Sequence, residues 1–296
     1  MTRLLQGVYV PLITPFAADG SVAVDAIERL CNEYLDAGCA GIVALATTGE
    51  SPALDAAEQR AVVEVCARVC AERGAQLIVG GTTNSTAKTV AMVQELAGTP
   101  ALAAVLTVVP YYVRPSEAGI VAHVEAVATA SPVPVVIYNI PYRTGRNLGP
   151  AGMLQLANTP NVAGVKQSVG SLDADTLEIL AGAPAHFSVL GGEDPFLFPT
   201  VLMGGAGAIC ASAHVCTERF VAMIECGLAG KVDDGRAHAE ALLPVVRACF
   251  AEPNPAVFKG VLHAQGKIPT PNVRLPLLDA SVASVDAALA AIAAAG

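Results

Sequence analysis

The chain has 296 residues, of which 53 % are hydrophobic and 15 % are charged, and its formal net charge at pH 7 is −9. A sequence of this length and apolar content folds into one large domain or two small ones, and its composition excludes an intrinsically disordered protein. The negative charge argues against nucleic acid or an anionic membrane surface as the main partner, while a small anionic substrate can still bind at a locally positive site.

The sequence has no apolar run that approaches the roughly 18 residues of a membrane-spanning helix. Residues 1–7 lack the long apolar segment that is typical of a secretory signal. The eight cysteines form no CxxC pair, and Cys66 and Cys70 have no nearby histidine or further cysteine to complete a zinc site. We therefore expect reduced cysteines, a cytoplasmic location, and neither a metal nor another cofactor.

In chain order, short β-branched runs alternate eight times with longer segments of helical periodicity. The short runs are nearly continuous in apolar residues, a pattern typical of a parallel sheet that is buried on both faces. The predicted strands cover residues 8–12, 41–45, 76–79, 103–108, 135–138, 162–165, 188–190 and 208–210. The predicted helices that alternate with them cover residues 25–37, 56–70, 86–97, 116–129, 150–157, 172–180 and 194–203.

Eight strand–helix units in a chain of this length predict an α/β protein with a closed (β/α)8 barrel, the TIM barrel. The chain contains neither GxGxxG after the first strand nor GxxxxGK[ST], so a nucleotide-binding open sheet lacks its main support. After Cys210 the pattern predicts only helices, over residues 217–229, 233–250, 255–265 and 282–295. We interpret residues 1–226 as a catalytic barrel and residues 227–296 as a C-terminal helical extension that packs on it.

A lysine, Lys166, directly follows the apolar residues of the predicted sixth strand. Burial lowers the pKa of a lysine, and the neutral amine is then a nucleophile toward a carbonyl group. The plainer interpretation is that Lys166 extends from the strand end into water, as most such lysines do. The strand alone favours the plainer interpretation, so the decision depends on the residues that surround Lys166.

Polar side chains follow several other strands, where barrels of this kind place their active sites. Tyr138 ends the fifth strand, and a phenol with a pKa of about 10 suits proton transfer beside a lysine. Thr47 and Thr48 follow the second strand and can relay protons or help to bind a carboxylate, and Arg143 suits a second carboxylate. Each residue has a plain structural alternative, as a rim aromatic, a helix cap or a surface ion pair, but their convergence favours a Schiff-base site.

Several short motifs carry a resemblance that extends over almost the whole chain. They are residues 7–16 (GVYVPLITPF), 47–51 (TTGES), 110–112 (PYY), 138–141 (YNIP), 252–255 (EPNP) and 274–277 (RLPL), together with Lys166. With this set, the chain resembles the dihydrodipicolinate synthase / N-acetylneuraminate lyase family of Schiff-base (β/α)8 enzymes.

The resemblance implies roles for the residues at the strand ends. Lys166 would form a Schiff base with pyruvate, as in a class I pyruvate-dependent synthase or lyase. Tyr138, Thr48 and Tyr112 would form a proton relay, in which Tyr112 reaches in from a neighbouring subunit. Thr47 and Thr48 would also hold the pyruvate carboxylate.

The resemblance also implies the rest of the pyruvate pocket and the assembly. Gly192 and the backbone at Ile209 match positions that line the pocket. A homotetramer, arranged as a dimer of tight dimers, follows from the same comparison, with small-molecule substrates as the other partners.

Within this family, the residues after the fifth strand favour the synthase branch. Arg143, followed by Thr144 and Gly145, looks like the arginine that receives the carboxylate of aspartate semialdehyde. The expected product is 4-hydroxy-tetrahydrodipicolinate, on the route to diaminopimelate and lysine. One alternative is a related pyruvate aldolase or a 2-keto-3-deoxy sugar acid dehydratase that uses the same lysine. Another is a catalytically silent paralogue that binds a keto acid as a sensor.

Three residues depart from the synthase pattern. Ala46 stands where a glycine usually precedes the paired threonines, Tyr142 is bulky where a small residue is common, and Gln167 follows the lysine where an acid is usual. We expect Tyr142 and Gln167 to lie close to the site, where they can mark a different aldehyde acceptor.

A further departure concerns feedback regulation by lysine. Asn84 and Tyr111 match the family's lysine-binding positions, but Ala56 and Gln59 stand at its histidine positions, and Lys88 replaces its acid. A positive charge where the ammonium of lysine should bind is repulsive. The sequence therefore predicts weak or absent inhibition by lysine.

Overall fold

The computed structural model describes residues 3–296 and contains a closed barrel of eight parallel strands. The strands follow one another around the barrel in chain order, and the eighth pairs with the first. They are β1 (Gly7–Pro11), β2 (Gly41–Ala44), β3 (Gln76–Val79), β4 (Leu102–Val108), β5 (Val135–Asn139), β6 (Val162–Gln167), β7 (Ser188–Gly191) and β8 (Gly207–Ile209). The predicted TIM barrel is confirmed.

Helices surround the barrel and continue beyond it. They are α1 (Val24–Asp36), α2 (Ala56–Arg73), α3 (Thr86–Glu95), α4 (Glu117–Ala130), α5 (Pro141–Thr144), α6 (Pro150–Ala157), α7 (Ala174–Gly182), α8 (Leu197–Leu202), α9 (Thr217–Leu228), α10 (Val232–Cys249), α11 (Ala256–Ala264) and α12 (Val282–Ala295). The single turn α5 was not predicted, and the helix predicted over 194–203 divides into a 3₁₀ turn, Asp194–Phe196, and α8. A proline-containing short segment offers too little periodicity to show either feature.

The sixth strand is two residues longer than predicted, so that Lys166 lies within β6 rather than after it. Lys166 is level with Tyr138 on β5 and with Leu190 on β7, and both neighbours belong to the core inside the barrel. Val165 instead belongs to the outer core, between the sheet and the helices. Because side chains alternate along a strand, the side chain of Lys166 points into the barrel.

The last three helices form the predicted C-terminal extension. Helix α10 packs against α9 and α12, and α12 also packs against α11, while α9 itself packs on β1. The predicted boundary between residues 226 and 227 falls in the last turn of α9. The division into two domains stays a prediction. Residues 1 and 2, which begin both the predicted barrel domain and the region 1–7 that was predicted to lack a secretory signal, lie outside the described residues.

None of the helices within residues 3–296 is long and apolar enough to cross a membrane. In that same range no cluster of three or more histidine, cysteine, aspartate or glutamate side chains could hold a metal ion. All eight cysteines are free thiols.

Candidate active site

A cavity of about 410 Å³ opens at the carboxyl-terminal ends of the strands. It brings together seven of the eight residues predicted for the site, from five different strand ends. They are Thr47, Thr48, Tyr138, Arg143, Lys166, Gly192 and Ile209. The active-site hypothesis therefore corresponds to one continuous space rather than to scattered polar residues.

Lys166 is the buried amine of this cavity, with 6 % of its surface exposed. Its Nζ atom lies 4.3 Å from the centroid of the Tyr138 ring, and the ring is buried as well. No carboxylate of residues 3–296 forms a salt bridge with Lys166. The lysine does not extend into bulk water, and an unpaired buried amine beside a phenol is arranged for attack on a carbonyl group.

The residue after β7 makes room for the lysine. A Cβ atom built on Gly192 would lie 2.9 Å from both Cγ and Cε of Lys166, and 2.1 Å from Oγ of Ser168. The Gly192 N–H donates a hydrogen bond of 2.9 Å to the carbonyl oxygen of Gln167. This bond holds the backbone of Gly192 close to β6, next to the Lys166 side chain. Only glycine leaves the Lys166 side chain its observed path.

The paired threonines occupy a 3₁₀ turn, Thr47–Gly49, that is separated from the end of β2 by Leu45 and Ala46. Thr48 is buried, and its Oγ1 atom accepts a hydrogen bond of 3.0 Å from Nδ2 of Asn254. Neither threonine caps the next helix, because Asp55 forms the N-cap of α2 and accepts from two backbone N–H groups there. Both threonines line the cavity, and neither hydroxyl group is engaged in capping a helix.

Arg143 lies on the single turn α5, just beyond Tyr138, and lines two adjoining cavities. Its guanidinium carbon is 5.9 Å from the centroid of the Tyr142 ring. Arg143 takes part in none of the salt bridges among residues 3–296. An unpaired guanidinium group at the cavity wall suits a substrate carboxylate.

Two acids that the sequence analysis did not single out complete the wall after β7. Burial raises the pKa of Glu193, whose Oε1 atom has no hydrogen-bond partner among the described residues. Burial also raises the pKa of Asp194, which accepts a hydrogen bond of 2.8 Å from the N–H of Ser212. The sequence signal that could have identified Glu193 and Asp194 is the presence of two consecutive acids just after a strand.

Asn254 is a third residue of the cavity wall that was not predicted, although it lies in the EPNP motif. It lines the cavity and donates to Thr48 from 206 residues away in the chain. Such a contact has no periodic signal, so no single segment of the sequence could reveal it.

Tyr112 is the one predicted relay residue that does not line the cavity. Its side chain is 88 % exposed, and its backbone is in the left-handed region with φ of 69°. Within a single chain, the structure therefore leaves Tyr112 apart from Lys166. Its predicted role depends on a neighbouring subunit.

Of the two residues expected to mark a different acceptor, only Tyr142 lines the cavity. The structure corrects the expectation for Gln167, which follows Lys166 and so points to the outer face of the strand. There its side chain accepts from Asn139 at 3.2 Å and donates to Thr176 at 3.1 Å. Gln167 supports the barrel wall instead of contacting the cavity.

A TIM barrel with a buried lysine at its carboxyl-terminal mouth, beside a phenol, defines an enzyme of the Schiff-base synthase and lyase class. The sequence pattern of the Dihydrodipicolinate synthetase family matches residues 4–295. The chain belongs to this family.

Individual relatives agree with the family assignment. The chain is 40 % identical over 270 residues to the 4-hydroxy-tetrahydrodipicolinate synthase of Moorella thermoacetica, and the match covers 91 % of each chain. Among solved structures, dihydrodipicolinate synthase from Thermotoga maritima superimposes with a TM-score of 0.94 at 30 % identity, over 99 % of both chains. The dihydrodipicolinate synthase of Acinetobacter baumannii in complex with pyruvate has a TM-score of 0.92 at 28 % identity, over 98 % of this chain and 99 % of that one.

Proposed function

We propose that the protein condenses pyruvate with L-aspartate 4-semialdehyde to 4-hydroxy-tetrahydrodipicolinate, through a Schiff base on Lys166. The observation that carries the proposal is the position of the Lys166 amine, 4.3 Å from the centroid of the Tyr138 ring in a cavity shared with Arg143. The relatives named for this reaction match nearly the full length of the chain.

The first step is attack of the Lys166 amine on the ketone carbon of pyruvate. The carbinolamine hydroxyl must then accept a proton and leave as water, which gives the imine. Tyr138, the neighbouring phenol, is placed to donate that proton to the hydroxyl group, and the resulting phenolate can accept a proton in the following step. A methyl proton then passes to the Tyr138 phenolate, which converts the imine to an enamine, and the enamine carbon attacks the aldehyde carbon of the second substrate. The aldehyde oxygen takes up that proton and becomes the hydroxyl group. The amino group of the second substrate then attacks the imine carbon and displaces the Lys166 amine, which closes the ring and frees the lysine.

The two carboxylates of the substrates have separate sites in this proposal. The hydroxyl and backbone N–H groups of the Thr47–Gly49 turn hold the pyruvate carboxylate close to Lys166. Arg143, at the outer wall of the cavity, holds the carboxylate of the aldehyde. The separation directs the aldehyde carbon toward the bound enamine.

We propose further that the enzyme is a cytoplasmic homotetramer, a dimer of tight dimers, in which Tyr112 completes the relay of a neighbouring subunit. The exposure of Tyr112 and its distance from the cavity support this assignment. Mixed tetramers of the inactive variants Lys166→Ala and Tyr112→Phe test it. Recovery of activity on mixing is the expected result, because some sites then combine an intact lysine with an intact tyrosine.

Borohydride trapping tests the central step. Pyruvate and borohydride should add one reduced adduct per chain, and peptide mass spectrometry should place it on Lys166. The variant Lys166→Ala should remain unmodified, and absence of an adduct on the wild-type chain would contradict the proposal. Turnover of aspartate semialdehyde, compared with other aldehydes and with 2-keto-3-deoxy sugar acids, then identifies the acceptor.

A further inference from the structure

An ion pair lies fully buried behind the turn that carries the paired threonines. Glu50 directly follows the Thr47–Gly49 turn, in the left-handed backbone region, and its Oε1 atom accepts a hydrogen bond of 2.5 Å from Nζ of Lys259. The side chains of Lys259 and Glu50 are 0 % and 1 % exposed. Lys259 belongs to helix α11, in the C-terminal extension.

Further hydrogen bonds satisfy both partners. Lys259 also donates to the carbonyl oxygen of Asn272 at 2.8 Å, and Oε2 of Glu50 accepts from the N–H of Arg274 at 2.8 Å. The ammonium group of Lys259 lies 4.0 Å from the centroid of the Phe16 ring. One carboxylate thereby joins the threonine turn to two separate segments of the C-terminal extension.

Stability is a poor explanation for this pair. Burial of two charges costs desolvation that their attraction often does not exceed, and apolar side chains of similar volume can replace such pairs without loss of stability. Burial lowers the pKa of Lys259 to about 8, against the opposing effect of Glu50, which is a sign of that desolvation. A hydrogen-bonded ion pair fixes the relative orientation of the two groups, whereas an apolar contact does not.

The segment that leads into α11 makes a second contact with the turn. Asn254 lies two residues before α11 and donates to Oγ1 of Thr48, two residues before Glu50. Because this lone pair on Thr48 is occupied, the hydroxyl hydrogen of Thr48 is left to be donated elsewhere. The extension therefore contacts the turn on the threonine itself and on the glutamate behind it.

We infer that the C-terminal extension positions the Thr48 hydroxyl for catalysis, through the Glu50–Lys259 ion pair and the amide of Asn254. Glu50 and Lys259 are positioning residues, since neither lies at the reacting atoms and both act through the turn. The inference rests on the proposed function for the role of Thr48 in proton relay. It makes the extension a part of the active site rather than an appendage of the barrel.

Hydrogen exchange of the full-length protein tests the positioning directly. In Glu50→Gln and Asn254→Ala, amides of residues 47–50 should exchange about tenfold faster than in the wild type, because the turn loses an anchor. The matched control is Glu33→Gln, which removes another ion pair between the extension and the barrel, with Lys267. That variant should leave the exchange of residues 47–50 unchanged, and unchanged exchange in Glu50→Gln and Asn254→Ala would overturn the inference.

Kinetics separate positioning from a general structural role. Glu50→Gln should lower kcat by about 30-fold and raise KM for pyruvate, because the same turn relays protons and holds the pyruvate carboxylate. KM for aspartate semialdehyde, which Arg143 binds in the proposal, should change less than about threefold. In a Thr48→Val background the same change should cost less than about threefold, because the two residues act as one unit. A full 30-fold loss in that background would contradict an action through Thr48.

A charge-neutral double variant and pyruvate trapping complete the test. If single charge changes prevent folding, the neutral pair Glu50→Gln/Lys259→Gln should restore both folding and slow exchange, because it retains a hydrogen bond without buried charge. A folded neutral pair with fast exchange in the turn would overturn the inference. Pyruvate trapping on the wild-type protein reports on the proposed function alone, while exchange at residues 47–50 decides the anchoring even where no adduct forms.

Discussion

Gly192 and Lys166 are in contact in a way that allows no side chain at position 192. A Cβ there would approach two carbon atoms of the lysine to 2.9 Å, so the path of the nucleophile depends on a residue 26 positions away in a loop. The proposed reaction thus depends on backbone shape as well as on the chemistry of its side chains.

The variant Gly192→Ala should fold and lose pyruvate trapping by about 100-fold or more, because the added methyl group displaces the lysine from its near-attack position. The double variant Gly192→Ala/Ser168→Ala should be equally inactive, since it removes only the clash with the serine. Gly149→Ala is the control, because a Cβ there meets its nearest atom at 3.7 Å. Normal trapping by Gly192→Ala would show that Lys166 has another route to the ketone.

Tyr138→Phe should lower kcat by about 100- to 1,000-fold, because it removes the proposed proton donor and keeps the ring that packs beside Lys166. The unfolding midpoint should change little, since the ring and its burial are conserved. Stopped-flow borohydride trapping measures the rate of imine formation separately from turnover. If trapping stays as fast as in the wild type, the phenol is not the acid of the dehydration step.

Arg143→Ala should affect only the second substrate. We expect KM for aspartate semialdehyde to rise by about 30-fold or more, from the loss of a charge-assisted pair, while the rate of pyruvate trapping stays within about twofold. Arg143→Lys should recover part of the loss, since a lysine keeps the charge without the bidentate geometry. An equal effect on both substrates would place Arg143 in the pyruvate site instead.

The buried, neutral His214 should make the stability of the fold sensitive to acid. Burial lowers its pKa to about 4, although a hydrogen bond to the carbonyl oxygen of Ala211 opposes the shift, and its Nε2 atom accepts from the N–H of Ile13. The folded pKa lies below the unfolded value of about 6.5, so this residue's contribution to stability is complete above pH 6.5 and is lost as pH falls toward 4. The free energy of unfolding should drop by about 2 kcal/mol between pH 7.5 and pH 5 from this residue.

Urea titrations at several pH values measure that dependence. The variant His214→Gln should be less stable at pH 7.5 and should show a flatter pH profile between 7.5 and 5, because it cannot take up the proton. A wild-type profile that is flat over this range would contradict the assignment to His214.

Lysine should inhibit the enzyme weakly or not at all, because the site predicted for it lacks suitable groups. Ala56 has no hydrogen-bonding side chain, and the amide of Gln59 already donates to the carbonyl oxygens of Ser51 and Leu54 at 3.1 Å. Activity in 1 mM lysine, on the order of a typical metabolite concentration, should stay within about twofold of the uninhibited rate. A low-micromolar inhibition constant would refute this prediction, and Lys88→Glu tests whether the reversed charge creates inhibition.

Periodicity accounts for how much of the fold could be predicted. The eight strands were predicted with errors of at most two residues at their ends, since a strand buried on both faces gives a continuous apolar run. The end of β6 was missed, because Lys166 and Gln167 are polar and a buried polar residue resembles a loop. The same error concealed that these two neighbours point to opposite faces.

The convergence of the site was also predictable to a large extent. Lys166, Tyr138 and Thr48 each lie at or just beyond the end of a predicted strand, and the closure of a parallel barrel brings all such positions to one mouth. Asn254 and Glu193 were not predicted as site residues, because their importance comes from a contact and from an unpartnered atom, neither of which a local pattern records.

The sequence by itself determined the barrel and the family and indicated Lys166 as the proposed nucleophile, because apolar spacing dictates strands and their closure dictates where strand ends meet. Only the tertiary structure decided the environment of that nucleophile. It buried Lys166 against the ring of Tyr138, left Gly192 as the space beside it, and turned Gln167 to the outer face. Burial and side-chain direction arise from contacts between distant segments, and those contacts exist only once the chain has closed on itself.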